Sequence, residues 1–183
     1  MSKHSTNGFT LIELMVTISI MVILVTMAVP SLQALIERNA VAGQVDSLVS
    51  SLITARSEAI KRNTIVVMCR SNNPEAASPT CAGSGTGWES GWIVFADRGG
   101  GVTQYNPSAG DVLIHTQGVL AGVGAIQQRS YQLITFRPTG VITGARTEFT
   151  VKSKSQTTDR QRRVCLDTTG RPRQINNSVD TCY

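Results

Sequence analysis

The chain has 183 residues, with 17 Lys+Arg against 12 Asp+Glu and a formal net charge of +5. Charged residues make up 16% and apolar residues 41%, which excludes a highly charged disordered chain. Only one segment is long and uncharged enough to span a bilayer, so a polytopic membrane protein is also excluded. Four Cys are too few for a disulfide-dense miniprotein, and the length provides about one domain with its own core plus an appendage.

The apolar residues are concentrated near the front. Leu14–Ile36 is a run of 23 residues without a charge. As a helix it reaches roughly 35 Å, more than the ~30 Å hydrocarbon core of a bilayer. A short polar leader, MSKHSTNG, with one Lys and one His, precedes it and puts that end on the cytoplasmic side. A secretory signal peptide fits poorly. Its apolar run is shorter, and it closes on a small-x-small site before a polar mature start. Glu13 stands at the front of the run. An unpaired acid at the bilayer centre costs about 2.5–3.5 kcal/mol, and even near the boundary it needs a partner.

Gly8-Phe9-Thr10-Leu11-Ile12-Glu13-Leu14 resembles the class III leader junction of type IV pilins and type II secretion pseudopilins. The resemblance implies that a prepilin peptidase cuts between Gly8 and Phe9 and N-methylates Phe9, making Glu13 the fifth residue of the mature chain. The freed, positively charged amine of one subunit then pairs with Glu13 of a neighbour, giving the costly carboxylate its partner. Pro30 matches the mid-helix proline of that family, where a kink or local melting is expected. The implied organisation is a cleaved leader at 1–8, a transmembrane and filament-core helix at 9–36, and a periplasmic globular domain at 37–183.

The helical pattern continues past the apolar run. Val41, Val45, Leu48, Leu52, Ala55 and Ala59 follow spacings of three and four, an amphipathic stripe. One long helix from about Phe9 to Arg62 is expected, with Asn63 able to close it in a left-handed conformation. Beyond it the pattern turns to β. Thr64–Arg70, Gly91–Asp97, Asp111–Gln117, Ser130–Arg137, Thr147–Ser153 and Arg163–Asp167 are rich in branched and aromatic residues and separated by Gly, Pro, Ser and Asn clusters. Ser71–Gly87 and Arg98–Gly110 read as loops. Helix first and strands after predict an α+β fold, with the amphipathic half of the helix packed on an antiparallel sheet, and the resemblance implies that it is type IV pilin-like. Cys69 and Cys81 flank the first loop, and Cys165 and Cys182 flank the tail. In an oxidising periplasm three connectivities are possible. The two local pairs close short loops and are preferred, each worth about 2–3 kcal/mol.

The rest of the chain resembles the GspH/FimT family of minor pilins and minor pseudopilins. The resemblance rests on Ala55-Arg56-Ser57-Glu58-Ala59-Ile60-Lys61-Arg62, the Cys69-Arg70 strand end, Gly87-Trp88-x-x-Gly91-Trp92-x-Val94-Phe95-x-Asp97, Phe136-x-Pro138-x-Gly140, and Cys165 followed by Gly170-Arg171. It implies a low-abundance subunit near a filament tip. Trp88, Trp92 and Phe95 read as core residues between sheet and helix.

Charge is also concentrated. Between Arg146 and Arg173 stand eight cations (Arg146, Lys152, Lys154, Arg160, Arg162, Arg163, Arg171 and Arg173) and three acids, Glu148, Asp159 and Asp167. The surplus of five equals the net charge of the whole chain. Such a run is commonly a solvated face. Here it favours Arg, which suits phosphate, and Gly170-Arg171-Pro172-Arg173 sits on a tail tied by Cys165 and Cys182, which is expected to form an ordered loop. The G-R-x-R pattern resembles the C-terminal motif of FimT-type minor pilins that bind DNA in natural transformation. The resemblance makes Arg171 and Arg173 the centre of a DNA site, with Gly170 permitting the turn. Arg160, Arg162, Arg163, Lys152 and Lys154 are auxiliary by position and charge. With about five phosphate contacts, affinity should fall roughly 10²–10³-fold between 50 and 200 mM salt.

No enzyme reading emerges. The clusters Gly83-x-Gly85-x-Gly87 and Gly99-Gly100-Gly101 open no helix and carry no Lys-Ser/Thr. The two His, His4 and His115, form no triad or zinc pattern with the cysteines. Asp97 and Asp111 read as strand-end residues. No cofactor or metal is expected. The expected partners are other pilin subunits, the prepilin peptidase, the inner-membrane assembly platform and DNA. The alternatives are a minor pilin that only primes pilus assembly, or the minor pseudopilin H of a type II secretion system.

Overall fold

The computed structural model describes residues 9–83, 87–101, 103–120, 122–128, 133–155, 157, 161–175 and 182. The chain divides into two compact units at Ile36 and Glu37. In the first, the described residues are almost wholly helical and their side chains lie exposed. They belong to helix α1, Leu11–Arg62, which is long and apolar enough to cross a membrane. The helix passes through Pro30 without a break, so the local melting expected there is not seen. Thr10 caps its start, its Oγ1 accepting the Glu13 N–H at 3.3 Å.

In the second unit the stripe read from the sequence is buried: Val41, Val45, Leu48, Leu52, Ala55 and Ala59 all lie at 1% exposure or less. The helix ends at a left-handed Asn63, φ 50°. The Thr64 N–H donates to Ala59 O at 3.2 Å and the Asn63 N–H to Ile60 O at 3.3 Å. These are the two bonds of a Schellman ending, and Asn supplies the left-handed residue where Gly is commoner.

Among the described residues the stripe carries two four-stranded antiparallel sheets rather than the one read from sequence. Strands β1 (Ile65–Arg70), β2 (Trp92–Asp97), β3 (Val112–Gln117) and β5 (Leu133–Phe136) form the first, in the order β3-β2-β1-β5. Strands β4 (Val123–Gln128), β6 (Thr147–Ser153), β7 (Arg162–Leu166) and β8 (Pro172–Ile175) form the second, in the order β4-β6-β7-β8. The two strands that the sequence did not reveal, β4 and β8, are both edges. Strand β4 contains Gly124 at a register shift against β6, and its Ile126 N–H is held by Glu89 Oε2 at 2.9 Å. Strand β8 begins with Pro172, tolerated at the first position of an edge strand, where no ladder donor is needed.

The main core lies between α1 and both sheets and includes Trp88, Trp92, Phe136, Phe149, Val164 and Leu166. Trp88 meets Phe149 edge-on, with ring centroids 5.2 Å apart. Phe95 belongs elsewhere. Strand alternation turns it, with Ile93 and Val67, to the far face of the first sheet, where these residues pack with the Cys69–Cys81 disulfide. Buried on both faces, β1 and β2 read as continuous apolar runs. The one polar residue buried on the stripe, Ser51, accepts the Trp92 Nε1–H at 2.9 Å and donates to Ser47 O at 2.9 Å. Removing that oxygen leaves a buried indole N–H unpaired. Ser51→Ala should therefore cost about 1–3 kcal/mol, read as a lower denaturant midpoint in tryptophan emission.

Candidate nucleic-acid interface

The second sheet turns one face to the helix and the other to solvent. Val164, Leu166, Phe149 and Val151 face the core, so alternation sends Arg163 and Cys165 on β7, and Glu148, Thr150 and Lys152 on β6, to the outer face. The registers pair Thr150 with Arg163, Glu148 with Cys165, Cys165 with Arg173 and Arg163 with Ile175. Lys152, Arg163 and Arg173 thus form a diagonal row across three adjacent strands, with neighbours about 7–8 Å apart by sheet geometry. Among the described residues, Glu148 is the acid beside them on that face.

The row rests on rigid backbone. The Cys165–Cys182 disulfide lies on the same face and packs with Ile175. Arg173 donates from a terminal guanidinium nitrogen to Cys182 O at 3.2 Å. On the inner face Gln174 Nε2 donates to Asp46 Oδ1 of α1 at 3.1 Å. Arg173 therefore stands on a strand, correcting the expected loop. Arg171 is exposed just before β8.

Gly170 stands in a left-handed turn where a side chain would not fit. It has φ +74°, and a Cβ there would collide with Gly140 O and lie 3.2 Å from the Phe136 ring. The turn Asp167–Gly170 is closed by Gly170 N–H to Asp167 O at 3.0 Å. Asp167 Oδ1 accepts from Thr169 Oγ1 at 2.6 Å and from the Arg171 N–H at 3.1 Å. The Thr169 hydroxyl bond holds the Asp167 carboxyl below its ordinary range, against a smaller effect of burial, with help from the Arg171 and Thr169 backbone N–H groups and the Arg171 charge. The sequence reading missed Asp167, although Asp at the first and Gly at the fourth position of Asp-Thr-Thr-Gly is a turn signature.

The other basic residues scatter. Arg162 points to the opposite face, since it shares the alternation of Val164. Lys154 is exposed in the turn after β6. Arg160 and Gly8 lie outside the described residues. Phe9 and Glu13 lie at the start of the exposed apolar helix. Asp97 and Asp111 close the loop between β2 and β3: Asp111 accepts from the N–H groups of Arg98 (2.9 Å), Gly99 (3.3 Å) and Asn106 (2.9 Å), and Asp97 from that of Gly100 (2.9 Å). Burial raises the Asp111 carboxyl, but these donors outweigh it and hold it below the ordinary range.

This helix-and-two-sheet fold, with its apolar N-terminal segment, is that of a minor pilin or minor pseudopilin, as its family matches show. The family model described as type II transport protein GspH matches residues 44–170, and the prokaryotic N-terminal methylation motif matches residues 3–29. The chain belongs to the GspH family. Its fold is similar to that of the type IV minor pilin FimU of Pseudomonas aeruginosa. In one crystal form the TM-score is 0.58 at 17% identity, over 80% of this chain and 98% of that one. In a second form it is 0.54 at 16%, over 78% and 99%. The minor pseudopilin EpsH of the Vibrio cholerae Type 2 Secretion System is also similar, with a TM-score of 0.48 at 14% identity, over 72% and 93%. No curated protein sequence matches the chain.

The pH dependence of the turn follows from the sign of the Asp167 shift. A carboxyl held below its ordinary value of 3.8 contributes stability that is present above that value and lost as pH falls through the folded one. The thermal midpoints of wild type and Asp167→Asn should therefore differ most well above pH 3.8 and converge as the pH falls below it.

Proposed function

We propose that this chain is a minor pilin of a type IV pilus that binds DNA non-specifically through the outer face of its second sheet, for DNA uptake. It is cut between Gly8 and Phe9 and N-methylated at Phe9, and Glu13 pairs with the new amine of a neighbouring subunit. The apolar helix anchors it in the inner membrane before assembly, and residues 37–183 stand in the periplasm. Within the filament it sits at or near the tip, beside other pilin subunits.

The observation that carries the DNA reading is the diagonal row of Lys152, Arg163 and Arg173, extended by the exposed Arg171 on a disulfide-tied edge. Cations held on strands lose little freedom when they meet phosphate. Arg suits a phosphate oxygen pair better than Lys does. The outer-face residues on β6, β7 and β8 are charged, polar or aliphatic, so contacts from these strands go to the phosphate backbone rather than to stacked bases. Arg162 and Lys154 contribute less than Arg163 and Lys152, because they leave the sheet in other directions.

A second reading, the minor pseudopilin of a type II secretion system, is favoured by the GspH family model. Deletion of the gene discriminates: loss of pili, twitching and transformation supports the pilus, and exported enzymes trapped in the periplasm support secretion.

The DNA reading is tested by mobility shift, with the full chain in nonionic detergent micelles and a duplex oligonucleotide. Wild type should bind at low salt, and log affinity should fall steeply with log salt. Arg171→Ala and Arg173→Ala should each weaken binding on every sequence and reduce the salt slope by about 1. Unchanged binding in the double variant refutes it.

A further inference from the structure

Three residues far apart in the chain meet at one point beneath Arg171. Arg56, on the amphipathic half of α1, donates from Nε to Gly140 O at 3.1 Å and to Thr169 O at 3.2 Å. Those carbonyls belong to two turns of the same build. Arg137-Pro138-Thr139-Gly140 follows β5 of the first sheet and is closed by Gly140 N–H to Arg137 O at 2.8 Å. Asp167–Gly170 joins β7 to β8 of the second sheet and is closed in the same way. Both end on a left-handed glycine, Gly140 at φ +80° and Gly170 at φ +74°.

The turns touch closely. A Cβ on Gly170 would collide with Gly140 O and lie 3.3 Å from Arg56 Cδ. A Cβ on Gly140 would lie 2.8 Å from Ile60 Cδ1 and 3.2 Å from Arg56 Nε. The Ile142 N–H donates to Thr168 O at 3.1 Å, adding a second tie between the turns. A guanidinium suits the junction because it is always charged and its bonds to carbonyls are charge-assisted. Arg56 is half-buried, whereas Arg171 and Arg173 are exposed.

Resting on the DNA reading above, we propose that Arg56 is a positioning residue: it locks the Asp167–Gly170 turn to α1 and to the first sheet, and so fixes where Arg171 leaves the surface. It takes no phosphate itself. With the lock removed, Arg171 keeps its charge but has to be ordered on binding, which weakens affinity by about 2- to 10-fold.

The test is a double-mutant cycle with Arg56→Gln and Arg171→Ala, in the full chain in nonionic detergent micelles. Duplex affinity is measured across a salt series, and amide hydrogen exchange is followed without DNA. Arg56→Gln should weaken binding about 2- to 10-fold. The double variant should match Arg171→Ala alone in both affinity and salt slope, since the two residues act as one unit. The Gly170 and Arg171 amides should lose protection in Arg56→Gln while those of β6 keep theirs. Arg56→Lys, which keeps the charge and removes the Nε donor, replaces it where Arg56→Gln does not fold, with the protection of the Gly170 and Arg171 amides as its readout. Additive losses with a further slope change of about 0.9 overturn the proposal, because Arg56 then meets phosphate directly. Unchanged protection of Gly170 and Arg171 overturns it too, as does unchanged affinity with a lowered thermal midpoint. Wild type that binds no duplex at low salt overturns the DNA reading itself. That failure is distinct from failure of the lock, which the exchange measurement reads without DNA.

Discussion

The buried stripe of α1 is a floor shared by two sheets. Val41, Val45, Leu48, Leu52, Ala55 and Ala59 pack against residues of both, including Trp92 and Phe136 from the first and Phe149, Val164 and Leu166 from the second. Among the described residues, the helix is the layer on which both sheets bury that face. Small residues at 55 and 59 let the strands approach the last turns of the helix. Ser51 is the exception that fits: a hydroxyl among apolar neighbours satisfies an indole N–H that would otherwise be buried unpaired.

The same alternation that builds the core builds the cationic face. Because Val164 and Leu166 point inward, Arg163 and Cys165 point outward; because Phe149 and Val151 point inward, Lys152 points outward. Antiparallel pairing with β8 then sets Arg173 beside Cys165. Charge at these positions costs the core nothing, and the disulfide on that face restrains the edge strand that would otherwise fray. The acids nearby have separate work. Asp167 is engaged with its own turn, so part of its effect is to order Arg171 rather than to neutralise it.

Much of this was legible. The 3.6-residue stripe located α1 and its buried face, and Asn63 marked its end. Branched and aromatic runs located β1, β2, β3, β6 and β7 within a residue or two. Strand β4 was hidden because Gly122 and Gly124 interrupt its run of apolar residues, and its Ile126 N–H is held by a carboxylate, Glu89, that no local pattern reveals. Strand β8 was hidden behind Pro172. Phe95 was put in the wrong core because Trp92–Ala96 is apolar throughout, and a strand buried on both faces has no alternation to tell one side from the other.

By itself the sequence determined the membrane-length helix, the GspH-family motifs, the basic surplus near the C-terminus and the positions of the four cysteines. These are properties of composition and short spacing, carried by neighbours along the chain. Only the tertiary structure decided that there are two sheets, that Lys152, Arg163 and Arg173 fall in one row while Arg162 leaves it, and that Arg56 meets both Gly140 and Thr169. Those facts depend on strand register and on contacts between residues 84 and 113 positions apart, and such pairings are chosen by the whole packed chain rather than by any segment of it.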